Sequence, residues 1–284
     1  MMNGKRKNGF LQIDNYEVIR DCSMEEGQNA FDWFKWNQTE YLFKIGSPED
    51  CFYEYFWNQI LKEINVDTVD YEMAEHRGFF GLISPNYNSN NLPKKSIAEL
   101  LYLYKSFLQK EKEIKKSVDE LYNLKDIKQM IDWYFQKEKN EIKESLKDCA
   151  IFRFIIQIIC GDKDLHARNI EIYSKDQPVL SPIFDLREYG KMHTQQQEYR
   201  LKLNYTKEFE SPTKTICKFI KTASQKEKEL LQEHLEKLQQ IKVKKMMAHI
   251  AEKLEIKISP FSKMYYQYIL KRTIKNVETY TRKI

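Results

Sequence analysis

The chain has 284 residues, 42% of them hydrophobic and 31% charged, and its 47 basic and 42 acidic side chains leave a formal charge of +5. That length can bury a core sufficient for two lobes, and so small a charge excess, with Glu227, Glu229, Glu233 and Glu236 interleaved among the lysines of 226–245, argues for a solvated helix face rather than a nucleic-acid stripe. Five scattered cysteines without CxxC pairing, and a basic, polar Met1 to Phe10 without an apolar signal core, point to a cytoplasmic protein and leave effector-type export open.

In chain order, Tyr16 to Ile19, Asp32 to Trp36 and Glu40 to Ile45 carry aromatic and β-branched residues between polar turns and are predicted strands. Phe52, Phe56, Ile60 and Ile64 recur at helical spacing, so Asp50 to Ile64 is predicted helical, with a turn and start signal in Gly46-Ser47-Pro48-Glu49. Asp70 to Ala74 and Gly78 to Ser84 read as further strands, and Ser84 to Lys95, rich in Asn, Ser and Pro, as a linker. Helical periodicity then dominates, over Ser96 to Lys110, Glu113 to Leu121, Ile127 to Leu146 and Asp148 to Ile159. The most apolar run, Ala150 to Cys160, is broken by Arg153 and Gln157 and is too short to cross a bilayer; it is predicted to be a buried helix. Asn169 to Tyr173 and Pro178 to Leu180 form a β-like break, after which Pro212 to Ile220, Gln225 to Leu254 and Pro260 to Lys275 are again helical. The expected fold class is therefore α+β and bilobal, with a strand-rich lobe over 1–90 and a larger helical lobe over 91–284.

The β-like break brackets the chemistry. Gly161-Asp162-Lys163-Asp164-Leu165-His166-Ala167-Arg168-Asn169 is followed by Pro182-Ile183-Phe184-Asp185. Phosphoryl-transfer enzymes of the protein-kinase type use this order of groups: an Asp that accepts the proton of the attacking hydroxyl, an Asn five positions later, and a second Asp beyond a hairpin, the last two on Mg²⁺. Asp164, Asn169 and Asp185 fit those roles, with His166 either holding the loop or assisting proton transfer.

The pattern G-D-x-D-x-H-x-x-N followed by S-P-I-F-D resembles that of HipA-family serine/threonine kinases, over roughly Cys149 to Tyr189, and its D-x-H-x-x-N order is similar to that of phosphoinositide kinases. The resemblance implies a protein-kinase-like fold, ATP and Mg²⁺ as cofactors, a protein Ser/Thr acceptor, and a role as a toxin or effector under an antitoxin-like partner, with no direct nucleic-acid contact and no membrane span. It also implies that Lys44, in Glu40-Tyr41-Leu42-Phe43-Lys44-Ile45-Gly46, contacts the ATP phosphates. Glu54 would pair with Lys44, with Glu63 as the competitor. Strand alternation puts Leu42 and Lys44 on one face and Tyr41, Phe43 and Ile45 on the other. The phosphate-covering loop falls on Cys22 to Asn29, where the amides around Gly27 and Gln28 would cradle phosphate. Departures are the single glycine and two acidic residues of that loop, and Leu186-Arg187-Glu188 after Asp185 where most protein kinases have glycine. The chain resembles the short, core-only members of the group. A phosphoinositide or small-molecule kinase, and a pseudokinase acting as an interaction module, are the alternatives.

Overall fold

A computed structural model of the chain describes residues 6–7, 9–21, 31–111, 124–159, 170–174, 176–184, 223–258 and 260–281. Seven strands form the larger sheet: β1 (Arg6–Lys7), β2 (Phe10–Gln12), β3 (Glu17–Asp21), β4 (Phe31–Trp36), β5 (Thr39–Ile45), β6 (Glu72–His76) and β7 (Phe79–Pro85). Their order is β1-β2-β6-β7-β5-β4-β3, antiparallel throughout except for the parallel pair β2 and β6. The β4–β5 hairpin turns on Asn37 and Gln38 and the β6–β7 hairpin on Arg77 and Gly78, all four with positive φ. Two-residue turns of that hand match the right-handed twist of the strands they join.

The sheet curls strongly. The Phe34 ring on β4 lies 4.8 Å from the His76 ring on β6, although β7 and β5 run between those strands. A flat sheet would hold them about three strand spacings, roughly 14 Å, apart. The concave face encloses Leu11, Ile13, Phe34, Phe43, Ala74 and Ile83, all fully or almost fully buried. Gly81 makes the curl possible: a Cβ there would stand 2.4 Å from the Phe43 ring and 2.5 Å from the Lys44 carbonyl.

Helix α1 (Pro48–Glu63) covers the other face. It is apolar nearly all round, and such a helix must be buried on both sides. On one side it shares a buried cluster with Met73 and Leu82 of the sheet. The other meets the C-terminal helices α6 (Val243–Lys253) and α7 (Pro260–Thr281), with Tyr53 and Tyr266 ring centroids 4.9 Å apart. One hydrophobic cluster therefore runs from the sheet through α1 into the end of the chain.

The remaining elements are β8 (Lys94–Ser96), α2 (Ile97–Glu111), α3 (Leu124–Tyr134), α4 (Asn140–Ile159), β9 (Glu171–Ser174), β10 (Pro178–Leu180) and α5 (Gln225–Gln240). Strands β10, β9 and β8 make a second, antiparallel sheet. Ser96 and Glu99 close a reciprocal capping box on α2, as Ser224 and Glu227 do on α5.

The structure corrects the predicted helix limits. The expected break near residue 147 lies instead at 135–139, where Glu138 N–H turns back onto the Phe135 carbonyl and the apolar stripe of α3 gives way to α4. The predicted helix Gln225 to Leu254 divides at Ile241, extended at φ −69°, ψ 123°. Leu238 and Val243 both enter the core, and their spacing does not continue one helical stripe, so the chain re-registers between them. Strands β1, β2 and β8 were not anticipated by the alternation pattern, being only two or three residues long. The predicted helices Glu113 to Leu121 and Pro212 to Ile220 lie outside the described residues. Among the described residues no helix is long and apolar enough to cross a membrane.

Candidate active site

The pairing of β5 with β7 sets Lys44 opposite Leu82 and Leu42 opposite Ser84. Residues directly opposite share a face, so these four line the side of the sheet that α1 covers, while Tyr41, Phe43 and Ile83 enter the concave core. From α1, Glu54 reaches back: Lys44 Nζ donates to Glu54 Oε2 at 2.7 Å. The lysine side chain is 21% exposed and the glutamate 7%. Glu54 Oε1 is buried and has no hydrogen-bond partner among the described residues. Glu63, the alternative partner, ends α1 as an exposed residue near Lys242 and Lys245. The arrangement holds an ammonium at a fixed point on the sheet, a solvent-reached cation whose counter-charge is locked in the core.

The same helix is tied to the segment that leads to Asp185. Asn58, one turn beyond Glu54 and fully buried, donates to Thr68 Oγ1 at 2.7 Å and to the Val69 carbonyl at 2.8 Å. Thr68 Oγ1 in turn donates to the Ile183 carbonyl at 2.9 Å. Backbone bonds from Val69 N–H to Ile183 and from Ile183 N–H to Asp67, both 3.0 Å, complete a short parallel bridge. Lys44, Glu54 and residues 181–184 thus belong to one hydrogen-bonded frame.

A second set of contacts fixes the linker. Asn86 closes onto Glu40 through its N–H and its side chain. Tyr87 stacks on Phe184 at 5.4 Å and donates its hydroxyl to Glu171 Oε2 at 3.1 Å. Glu171 also takes a pair of bonds from Lys94. Burial, with Glu171 next, pushes the Tyr87 phenol well above its ordinary range, so it stays a donor. On α4, Arg153 is buried and donates from Nη1 to Ser181 Oγ at 3.0 Å. Burial draws its guanidinium down to about 10, which still leaves it charged at neutral pH.

Asp164, His166, Asn169, Asp185, Gly27 and Gln28 lie outside the described residues. Both margins of the 160–169 segment are described: α4 ends at Ile159, and Ile170 is fully buried, its carbonyl accepting from Ile97 N–H at 2.8 Å. Asn58, Thr68 and Arg153 escaped the sequence reading. Two of them left a signal there, Asn58 as a polar residue four positions after Glu54 within an apolar helix and Arg153 as a charge inside the most apolar run.

The described residues fit the phosphate end of a nucleotide, because Lys44 is a positioned cation that solvent still reaches. They include no group of three or more His, Cys, Asp or Glu able to hold a metal ion, and the residues expected to hold one, Asn169 and Asp185, lie outside them.

Residues 22–258 match the family described as HipA-like C-terminal domain. The fold is similar to the crystal structure of the Helicobacter pylori proinflammatory kinase CtkA, with a TM-score of 0.64 and 14% identity, over 97% of this chain and 99% of that one. It is also similar to HipA of Shewanella oneidensis MR-1, solved with HipB and its operator DNA, with a TM-score of 0.56 and 11% identity, over 92% of this chain and 67% of that one. No curated protein sequence matches the chain. The fold is accordingly the bilobal, kinase-like one.

Proposed function

The chain belongs to the HipA-like C-terminal domain family, and from that premise we propose that it is an ATP- and Mg²⁺-dependent kinase acting on a protein serine or threonine. The observation that carries the reading is the 2.7 Å Lys44–Glu54 pair, mounted on a helix that is itself bonded to the segment entering Asp185. Phosphoryl transfer asks mainly for positioning and for neutralisation of charge on the phosphoryl oxygens. In this reading Lys44 meets the phosphates, Glu54 orients Lys44, and amides around Gly27 and Gln28 add donors. Asp164 accepts the acceptor hydroxyl's proton, with His166 beside it. Asn169 and Asp185 hold Mg²⁺, which supplies Lewis-acid neutralisation when bound. Residues 1–90 would present the nucleotide, and 91–284 the base and metal ligands.

The Shewanella HipA was solved with HipB, which supports an antitoxin-like protein partner for this chain. Titration calorimetry with MgATP tests the nucleotide half of the proposal. Saturable binding to the wild type, weakened about tenfold or more in Lys44→Met, is expected. Unchanged binding in Lys44→Met would remove Lys44 from the site.

A further inference from the structure

Beneath the bridge between Asp67 and Ile183 lies a cavity of about 600 Å³, walled by α4, β10, α5 and the turn after α1. Neither Lys44 nor Glu54 lines it. Its walls are mainly apolar, with Ile142, Leu146, Phe152, Val179 and Leu230 among them. Among the described residues Arg153 is the one lysine or arginine on them. The residue is 5% exposed, and among the described residues its guanidinium makes one hydrogen bond, to the neutral Ser181 hydroxyl, with no carboxylate within ion-pairing reach. A buried charge without a counter-ion is costly, and proteins seldom keep one unless something else answers it. Asp67 acts on it only through its field. His234 stands on the α5 wall, where burial lowers its pKa against the opposing effect of the Leu230 carbonyl, 2.8 Å from its Nδ1.

We propose that this cavity is a binding site for a small monocarboxylic acid with an apolar body, its carboxylate on Arg153 and its hydrocarbon against Ile142, Leu146, Phe152 and Leu230. The geometry selects that class. A guanidinium offers a planar fork that fits a carboxylate. The volume falls within the usual range of small-molecule sites, roughly 300–1,000 Å³. Asp67, Glu141 and Asp148 also line the cavity and would repel a ligand carrying several negative charges, and the apolar walls give a bare inorganic anion nothing to pack on. The inference does not depend on phosphotransfer, and its test reads binding alone.

The test is calorimetric titration of the full chain with octanoate, with 1-octanol and with inorganic phosphate, in the wild type, in Arg153→Met and in Val179→Trp. Methionine keeps most of the buried volume without the charge. Val179 is 46% exposed on β10, so tryptophan there fills the cavity mouth while sparing the core. The wild type is expected to bind octanoate at one site, at least about tenfold more tightly than octanol or phosphate, with a similar loss in Arg153→Met. Val179→Trp is expected to weaken binding too, and serves alone if Arg153→Met does not fold. Absent saturable octanoate binding, equal affinity for octanol or phosphate, or binding that survives in each folded variant would overturn the proposal.

Discussion

At the scale of single residues, the Lys44–Glu54 pair carries the functional reading, and its energetics are asymmetric. Glu54 is almost wholly buried with one oxygen already lacking a partner among the described residues, so removing Lys44 strands the carboxylate. Lys44→Met is expected to cost about 2–4 kcal/mol in urea unfolding. The double variant Lys44→Met/Glu54→Leu should recover most of that stability while phosphotransfer stays at least about 100-fold down. Recovery of stability without activity separates a nucleotide-binding lysine from a merely structural one. Gly81 makes a different demand, because its missing Cβ is the space the Phe43 ring and the Lys44 carbonyl occupy. Gly81→Ala should destabilise by about 1–3 kcal/mol and, by displacing β5, weaken MgATP binding as well. Alternation along Glu40 to Ile45 was enough to assign Lys44 its face, since a strand has only two. Choosing Glu54 over Glu63 required the rotation of α1 about its axis, which tertiary packing on both sides of the helix sets. Arg153 could be seen in the apolar run, but its place in a cavity depends on walls contributed from four separate parts of the chain.

At the scale of elements, α1 is the one that joins sheet, site and C-terminal helices. Its Asn58 is bonded through Thr68 to Ile183, so one chain of hydrogen bonds links the helix to the segment entering Asp185. Thr68→Val removes the hydroxyl that both accepts from Asn58 and donates to Ile183. It should cost about 1–3 kcal/mol of stability, and lower kcat more than it raises the KM for ATP. A loss confined to stability would mean the bridge is structural only. Helix α5 gives a pH-dependent counterpart. Burial alone would raise the Glu227 pKa, but bonds from Lys128 and from the Ser224 cap outweigh it and hold the carboxyl below its ordinary value. A depressed carboxyl contributes stability above its unfolded pKa and loses it as pH falls through the folded one. Glu227→Gln should therefore lower Tm at neutral pH, with the gap to wild type closing on acidification below the ordinary carboxylate range. The apolar periodicity that marked these helices could not set their breaks at 135–139 and at Ile241, because both stretches keep helix-forming residues, and the chain bends there to bring separate stripes into one core.

At the scale of the whole molecule, the end of the chain stabilises its beginning. Tyr266 of α7 lies against Tyr53, Phe56 and Trp57 of α1, and the β1–β2 turn at Gly9 sits directly on the backbone of Lys253 and Leu254. Gly9 has φ +78°, and a Cβ there would be 2.3 Å from the Lys253 carbonyl, so close approach and backbone conformation both require glycine. Tyr266→Ala should cost about 3–5 kcal/mol and reduce nucleotide binding at a distance, by loosening α1. These long-range contacts were the least legible in the sequence, since each pairs residues from opposite ends of it, whereas the kinase-like order of groups could be read directly. The central claim is that this order performs phosphoryl transfer. Its most direct measurement is Mg²⁺-dependent movement of a radiolabelled γ-phosphate from ATP onto the chain itself or onto a generic protein acceptor, in wild type, Asp164→Asn and Asp185→Asn. Transfer by the wild type that is lost in both variants is the predicted result; no transfer by a wild type that also fails to bind nucleotide, or undiminished transfer in either variant, would contradict it.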